Sequence, residues 1–371
     1  METRSDSLLY PAIDSPAPGK KVAVAPGVFW LTMPLPFALN HINLWLLRDQ
    51  LPDRNGWTDG WTIIDCGITS EITQALWEQI FDNELDGLPV LRVIVTHFHP
   101  DHLGLAWWLT QGGQKQRWQV DLWMSQTEYL MGHLLSSGGG HVKQGGHDGS
   151  NGNMTATAAP SFYAQQGIVD PNVLAQLRER KTYYPRLVPQ VPTSYVRIRR
   201  DQNIRIGERD WLVIGGEGHC PEHCALLCTD LQVMISGDMV LPKISTNVSV
   251  QEIEPTGNPL RQFLDSLQSY LALDDGLLIL PSHGKPFYGL HARIAQLQQH
   301  HQARLQEVLD ACTTQAGSAM DMLTVMFKRP LDLHQLTFAL GESLAHLNYL
   351  WQEGKLSRQQ NEQGVYLFAA P

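Results

Sequence analysis

The sequence predicts an α+β protein in which a sheet-rich body is followed by a helical tail, and three observations predict it. The 31 glycines and 22 prolines imply frequent turns. Short apolar runs punctuated by those turns recur as far as Leu280, as strands do. From His291 onward the apolar spacing becomes helical. A chain of 371 residues suits two domains, placed at 1–290 and 291–371. Hydrophobic residues at 43% and charged residues at 17% are those of a folded chain rather than a disordered one.

The elements follow in order. Residues 42–47 and 61–64 read as paired strands joined by a Gly- and Asp-rich loop over 52–60. Residues 71–81 have helical spacing, and 90–95 form a buried strand that runs into a histidine tract. The segment 133–193 differs. It opens with a glycine tract around Gly138 and turns helical over 171–180, which predicts a lid insertion with a mobile loop at its start. Strands resume at 195–198, 211–214, 225–228, 233–236 and 277–280. Helices are then expected at 291–311, 321–327, 331–340 and 342–352. A strand at 364–368 closes a terminal hairpin, a pattern similar to a winged helix.

The chemistry concentrates at His97-Phe98-His99-Pro100-Asp101-His102. His97 and His99 are two apart at a strand end and can turn to one side to share a metal. Asp101 and His102 can bind a second. Zinc-type ions need imidazole and carboxylate donors converging to about 2.0–2.2 Å. A surface histidine cluster does not account for so many ligand types directly after a buried apolar strand. His219, Asp238 and His283 each follow an apolar strand and lie near a glycine. Singly each would be an ordinary loop or core residue. Together they supply the ligands that two metals require.

Asp65 in Ile63-Ile64-Asp65-Cys66-Gly67, the His-x-His-x-Asp-His tract, His219, Asp238 and His283 resemble, in order, the five motifs of the metallo-β-lactamase fold superfamily. The likeness runs to about Tyr288 and is nearer to the hydroxyacylglutathione hydrolase-like branch than to true β-lactamases, because Asp238 stands where many of the latter use Cys. It implies a four-layer αβ/βα sandwich of two mixed sheets. His97, His99 and His219 would hold one metal, and Asp101, His102 and His283 the other. Asp238 would bridge the two, and Asp65 would orient the ligands. The implied cofactors are two divalent ions, zinc in the first place, with iron or manganese as alternatives.

The expected function is hydrolysis by a hydroxide bridging the two metals, acting on a small thioester or ester, with Asp101 or Asp238 passing the proton. The alternative is an endoribonuclease or other phosphodiesterase of the same fold. A net charge of −10 disfavours nucleic acid as partner. The tail points the same way: it carries six basic and seven acidic residues, and no cation lies in 342–352. Packing against the body or in a homodimer is the better role for it. No apolar stretch long enough for a membrane span and no secretory leader are seen. With five cysteines, an odd number, a cytoplasmic location is expected. Cys220, Cys224 and Cys228 read as small buried residues rather than a zinc knuckle. His41 reads as a satisfied loop histidine, and His141 and His147 as solvated.

Overall fold

The computed structural model describes residues 7–37, 39–53, 56–137, 161–179 and 183–371. Two larger sheets carry the body. The first holds seven strands, neighbours in this order: β1 (Val22–Ala25), β2 (Val28–Pro34), β3 (His41–Asp53), β4 (Gly56–Ile64), β5 (Val90–Ile94), β6 (Leu122–Met124) and β7 (Val196–Arg197). Its first four strands pair antiparallel and the rest parallel. The second holds β8 (Asn203–Ile206), β9 (Arg209–Gly216), β10 (His223–Cys228), β11 (Val233–Gly237) and β12 (Leu278–Pro281), with β11 and β12 parallel. A small hairpin pairs β13 (Ser357–Gln360) with β14 (Tyr366–Ala369).

The period of two along a strand divides the core. In β3, Trp45 and Leu47 join Trp30, Trp211, Leu226 and Ile235 in one cluster, between the two sheets. Leu44 and Leu46 point the other way, to Trp77 and Ile80 of α1 (Glu71–Asn83). That cluster continues to Leu103 at the end of α2 (Pro100–Leu103), Leu109 of α3 (Ala106–Thr110) and Tyr129 of α4 (Gln126–Ser136). Burying one side chain of this size is worth about 1.5–3 kcal/mol, so the two clusters hold the sheet and α1 against each other. Helix α1 begins where Ser70 caps the Thr73 amide.

The remaining helices are α5 (Phe162–Gln165), α6 (Pro171–Glu179), α7 (Tyr183–Leu187), α8 (Pro259–Tyr270), α9 (Leu290–Thr314), α10 (Ala319–Met326) and α11 (Leu333–Gln352). Tyr270 of α8 donates to the Gly215 carbonyl on β9. Helices thus accompany both sheets, giving the four-layer αβ/βα sandwich.

The chain divides into two compact units. One comprises Met1–Ser136, Thr182–Thr246 and Phe263–Leu297, within the described residues, and holds both large sheets. The other comprises Ser137–Lys181, Asn247–Gln262 and Gln298–Pro371. In this second unit Ser318 and Asp332 start α10 and α11 with reciprocal capping boxes. Gly317 exchanges backbone bonds with Phe368, and Met320 N–H donates to the Gln166 carbonyl.

Two expectations need correction. The loop expected over 52–60 is strand: β3 and β4 stay paired as far as Asp53 and Gly56, so the hairpin is longer than the apolar pattern suggests. The two helices expected at 331–340 and 342–352 are one, α11. Gly341 does not break it, because that glycine serves close approach: a Cβ there would meet Ser249 Cβ at 2.8 Å, and its carbonyl accepts the Val250 amide. The glycine tract around Gly138, with His141 and His147, lies outside the described residues. Part of the segment expected as a lid belongs to the first unit, where Tyr129 O–H and His133 Nε2 both reach the Pro192 carbonyl.

Candidate metal centre

Five strand ends deliver the site. Asp65 follows β4, the tract from His97 follows β5, His219 follows β9, Asp238 follows β11 and His283 follows β12. Parallel pairing sets neighbours side by side: Asp65 N–H donates to the Ile94 carbonyl, and Ser282 N–H to that of Gly237. After β5 the chain turns directly into α2, with Pro100 in its first turn, which brings Asp101 and His102 back beside His97. The rings of His97 and His102 lie 3.9 Å apart between centroids.

The structure brings all seven sequence-predicted ligands together. His97 Nε2, His99 Nδ1 and His219 Nε2 form a triangle with sides of 2.9, 3.0 and 3.1 Å. Asp101 Oδ2 lies 3.3 Å from His283 Nε2 and 3.7 Å from His102 Nε2. Asp238 stands between the two groups, with Oδ2 3.4 Å from His219 Nε2 and Oδ1 3.6 Å from both His102 and His283 Nε2. Three overlapping sets of possible metal donors result: His97, His99 and His219; His97, His102 and Asp238; Asp101, His102 and His283.

Neighbouring groups fix which nitrogen points inward. Asp65 Oδ2 lies 2.8 Å from His102 Nδ1, so Nδ1 is the donor to the carboxylate and Nε2 is the nitrogen that faces the cluster. His283 Nδ1 donates in the same way to the His41 carbonyl. Asp65 also accepts the Thr96 amide and hydroxyl. It holds this place with a φ of 62°, the left-handed conformation that Asp tolerates better than most residues.

Charge and burial shape the protonation. Burial, then the neighbouring histidines, keep His97 well below its ordinary pKa and hold His99 at about 3. Burial opposes the charges on Asp101 and Asp238. Their histidine neighbours prevail, leaving Asp101 at about 2 and Asp238 well below the usual range. Burial likewise opposes a positive charge on His102, yet Asp65, Asp101 and Asp238 lift it to about 10, so its Nε2 faces a field that favours a bound cation, whether a proton or a metal ion that displaces it.

The donor set fits divalent cations. His102 Nε2 and Asp238 Oδ1 are buried without a hydrogen-bond partner, and both face the cluster. Orphaned polar atoms of this kind cost free energy unless a ligand satisfies them. Three ring nitrogens meeting at one point serve a tetrahedral ion better than they serve one another, since its donors stand about 3.3 Å apart at bond lengths of about 2.0–2.1 Å.

Four residues beside the cluster are not among its predicted ligands. Thr96, directly before His97, bridges Asp65 and the rings of His97 and His102. His223 accepts the Asp238 amide at Nε2, and only glycine fits between them: at Gly237, with φ of 53°, a Cβ would come within 2.2 Å of that nitrogen. Tyr184 O–H donates to the Phe98 carbonyl. Glu128 lies fully buried beneath the tract, where burial raises its carboxyl to about 7 against the pull of its backbone donors. An acid within an amphipathic helix gives no signal of such a position. The five cysteines are free and buried, and His41 pairs with Asn40.

Comparison with known proteins follows the same lines. The family description "Metallo-beta-lactamase superfamily" matches residues 57–283, and "Metallo-beta-lactamase-like, C-terminal domain" matches residues 305–371. A beta-lactamase domain protein from Burkholderia ambifaria is 51% identical, with 98% of each chain covered and a TM-score of 0.88. A metallo-beta-lactamase family protein from Thermus thermophilus is 24% identical, covers 94% of this chain and 100% of its own, and has a TM-score of 0.70. The curated "Probable metallo-hydrolase YqjP" of Bacillus subtilis (strain 168) is 23% identical over 365 residues, 91% of this chain and 97% of that protein.

Proposed function

Because the chain belongs to the metallo-β-lactamase superfamily and carries that superfamily's C-terminal domain, we propose that it is a binuclear metal-dependent hydrolase of small thioesters or esters. The observation that carries this reading is the convergence of seven donors around the orphaned His102 Nε2 and Asp238 Oδ1. His97, His99 and His219 would hold one ion, and Asp101, His102 and His283 the other. Asp238 would serve both. Zinc is the first choice for these donors, with iron or manganese as alternatives. Bound there, such ions supply an acidified water and a Lewis acid for the scissile group.

The protein's own groups do the rest. Asp65 and the His41 carbonyl hold the rings of His102 and His283 in their ligating tautomers. We assign to Asp101, an ionised carboxylate whose side chain is 19% exposed against 10% for Asp238, the role of accepting the attacking water's proton and passing it on towards the leaving group. Charge favours an ester or thioester over a phosphodiester. Among the described residues, the ion pairs of Asp65, Asp101 and Asp238 are all with histidines, so no Lys or Arg is paired within the cluster itself. The net charge of −10 points the same way.

No helix among the described residues is long and apolar enough to cross a membrane. We infer a reducing, cytoplasmic setting from the five free cysteines.

The test is a panel of acyl-thiols, esters, lactones, phosphodiesters and single-stranded RNA, run on purified protein with metal analysis. Turnover of the acyl substrates, lost in His97→Ala and Asp238→Ala, is expected. Cleavage of RNA with steep salt dependence and no acyl turnover would replace this reading with a ribonuclease.

A further inference from the structure

Beneath the histidine tract, one carboxylate touches both loops that carry the donors of the first ion. Glu128 lies in the first turn of α4 and is completely buried. Its Oε2 accepts the backbone N–H of Phe98 at 2.9 Å, the residue between His97 and His99. Its Oε1 accepts the backbone N–H of Glu222, three residues after His219, at 2.6 Å. The Phe98 loop hangs from the seven-stranded sheet and the Cys220–Glu222 turn from the five-stranded one. The grip is reciprocal. Glu222 returns its own carboxylate to the Thr127 amide, and Ser125 O–H donates to the Glu222 carbonyl.

We propose that Glu128 is a positioning residue that sets the spacing between the His97–His99 pair and His219, and so the affinity of that site for a divalent cation. This rests on the metal reading above. A carboxylate can accept both amides at once, whereas a carboxamide cannot, because its nitrogen only donates. In Glu128→Gln either the Phe98 or the Glu222 amide faces another N–H, and one histidine loop moves away from the other. Asp101, His102 and His283 make no hydrogen bond to Glu128 among these, and α2 and Asp65 hold Asp101 and His102 independently of it, so the loss falls first on the site that His219 completes. Loss of a supporting group of this kind costs about 10- to 100-fold in metal affinity.

Zinc titration against a competing chelator, and the visible spectrum of the cobalt-substituted protein, read the two sites. Wild type should take up two ions. Glu128→Gln should keep one at wild-type affinity, lose at least tenfold on the other, and give the cobalt spectrum of His219→Ala rather than that of His283→Ala. Melting in excess chelator, compared across the same proteins, separates a local change from a general loss of fold. If Glu128→Gln fails to fold, Glu128→Asp takes its place, since it keeps the charge but reaches one amide rather than both, and the same selective loss is expected. Two ions bound as in wild type, or equal losses at both sites, would overturn the role of Glu128. A wild-type chain that takes up no ion would instead remove the metal reading itself.

Discussion

The carboxylate of Asp65 decides which nitrogen His102 offers to the cluster. Oδ2 takes the proton on His102 Nδ1, and Oδ1 takes the Thr96 amide. In Asp65→Asn one of those acceptors becomes an NH2 group. With the amide oxygen kept on Thr96, the new donor faces His102 Nδ1 and the proton must move to Nε2, the atom that points at Asp101 and Asp238. Ligation by His102 then costs a tautomer change. Metal affinity at the Asp101, His102 and His283 site is expected to fall about 10- to 100-fold, while affinity at the His97, His99 and His219 site stays close to wild type. Chelator competition measures both, and an unchanged affinity at the His102 site would refute the tautomer argument.

At the scale of elements, the buried pair Arg92–Asp49 ties the strands that aim the site. Asp49 on β3 accepts Thr62 O–H from β4, two guanidinium N–H groups of Arg92 on β5, and the Gly207 amide between β8 and β9. Arg92 in turn donates to the Arg205 carbonyl. Asp49→Ala strands the guanidinium in the interior and is expected to cost about 3–5 kcal/mol, read as a lower urea midpoint with unchanged slope; a loss below about 1 kcal/mol would mean the pair is dispensable. No pattern in the sequence announces this pair, because Asp49 and Arg92 are 43 residues apart on different strands. What the sequence does announce follows from local rules. The strands that lead into the ligands were legible as apolar runs, and the ligands because each follows such a run, whereas β1, β2, β6 and β8 were not singled out. Boundaries were not: the polar stretch around Gly56 looked like a loop, although cross-strand pairing carries it as strand, and Gly341 looked like a break until its close neighbour Ser249 was seen. Glu128 and Thr96 escaped for the same reason as Asp49, since their roles exist only once distant loops meet.

For the molecule as a whole, acidity should shift stability through a second set of titratable groups, buried or half-buried in the C-terminal helices. His301 of α9 and His346 of α11 are fully buried with ring nitrogens 3.4 Å apart, and His346 Nδ1 donates to the Glu342 carbonyl. Burial first, then the neighbouring histidines, push His301 down to about 3. Burial also holds His346 at about 4, against its bond to Glu342 and with help from His300 and Arg304. Burial raises Glu342 to about 7 despite the opposing pull of Arg304. The two kinds of group act with opposite sign. Between about pH 3 and 6.5 the unfolded chain holds histidine protons that the folded one lacks, so stability falls on acidification. Between pH 4.5 and about 7 the folded chain keeps a proton on Glu342 that the unfolded one has released, so stability falls as pH rises. Glu342→Gln removes only the second effect. Its advantage over wild type should therefore be near zero at pH 4, grow through the window, and level off above pH 7 at about 1–3 kcal/mol. Urea unfolding of both proteins at pH 4 and pH 8, at constant salt and metal, isolates this difference because every other titrating group is common to the pair. An advantage equal at the two pH values would show that Glu342 ionises as freely in the folded chain as in the unfolded one.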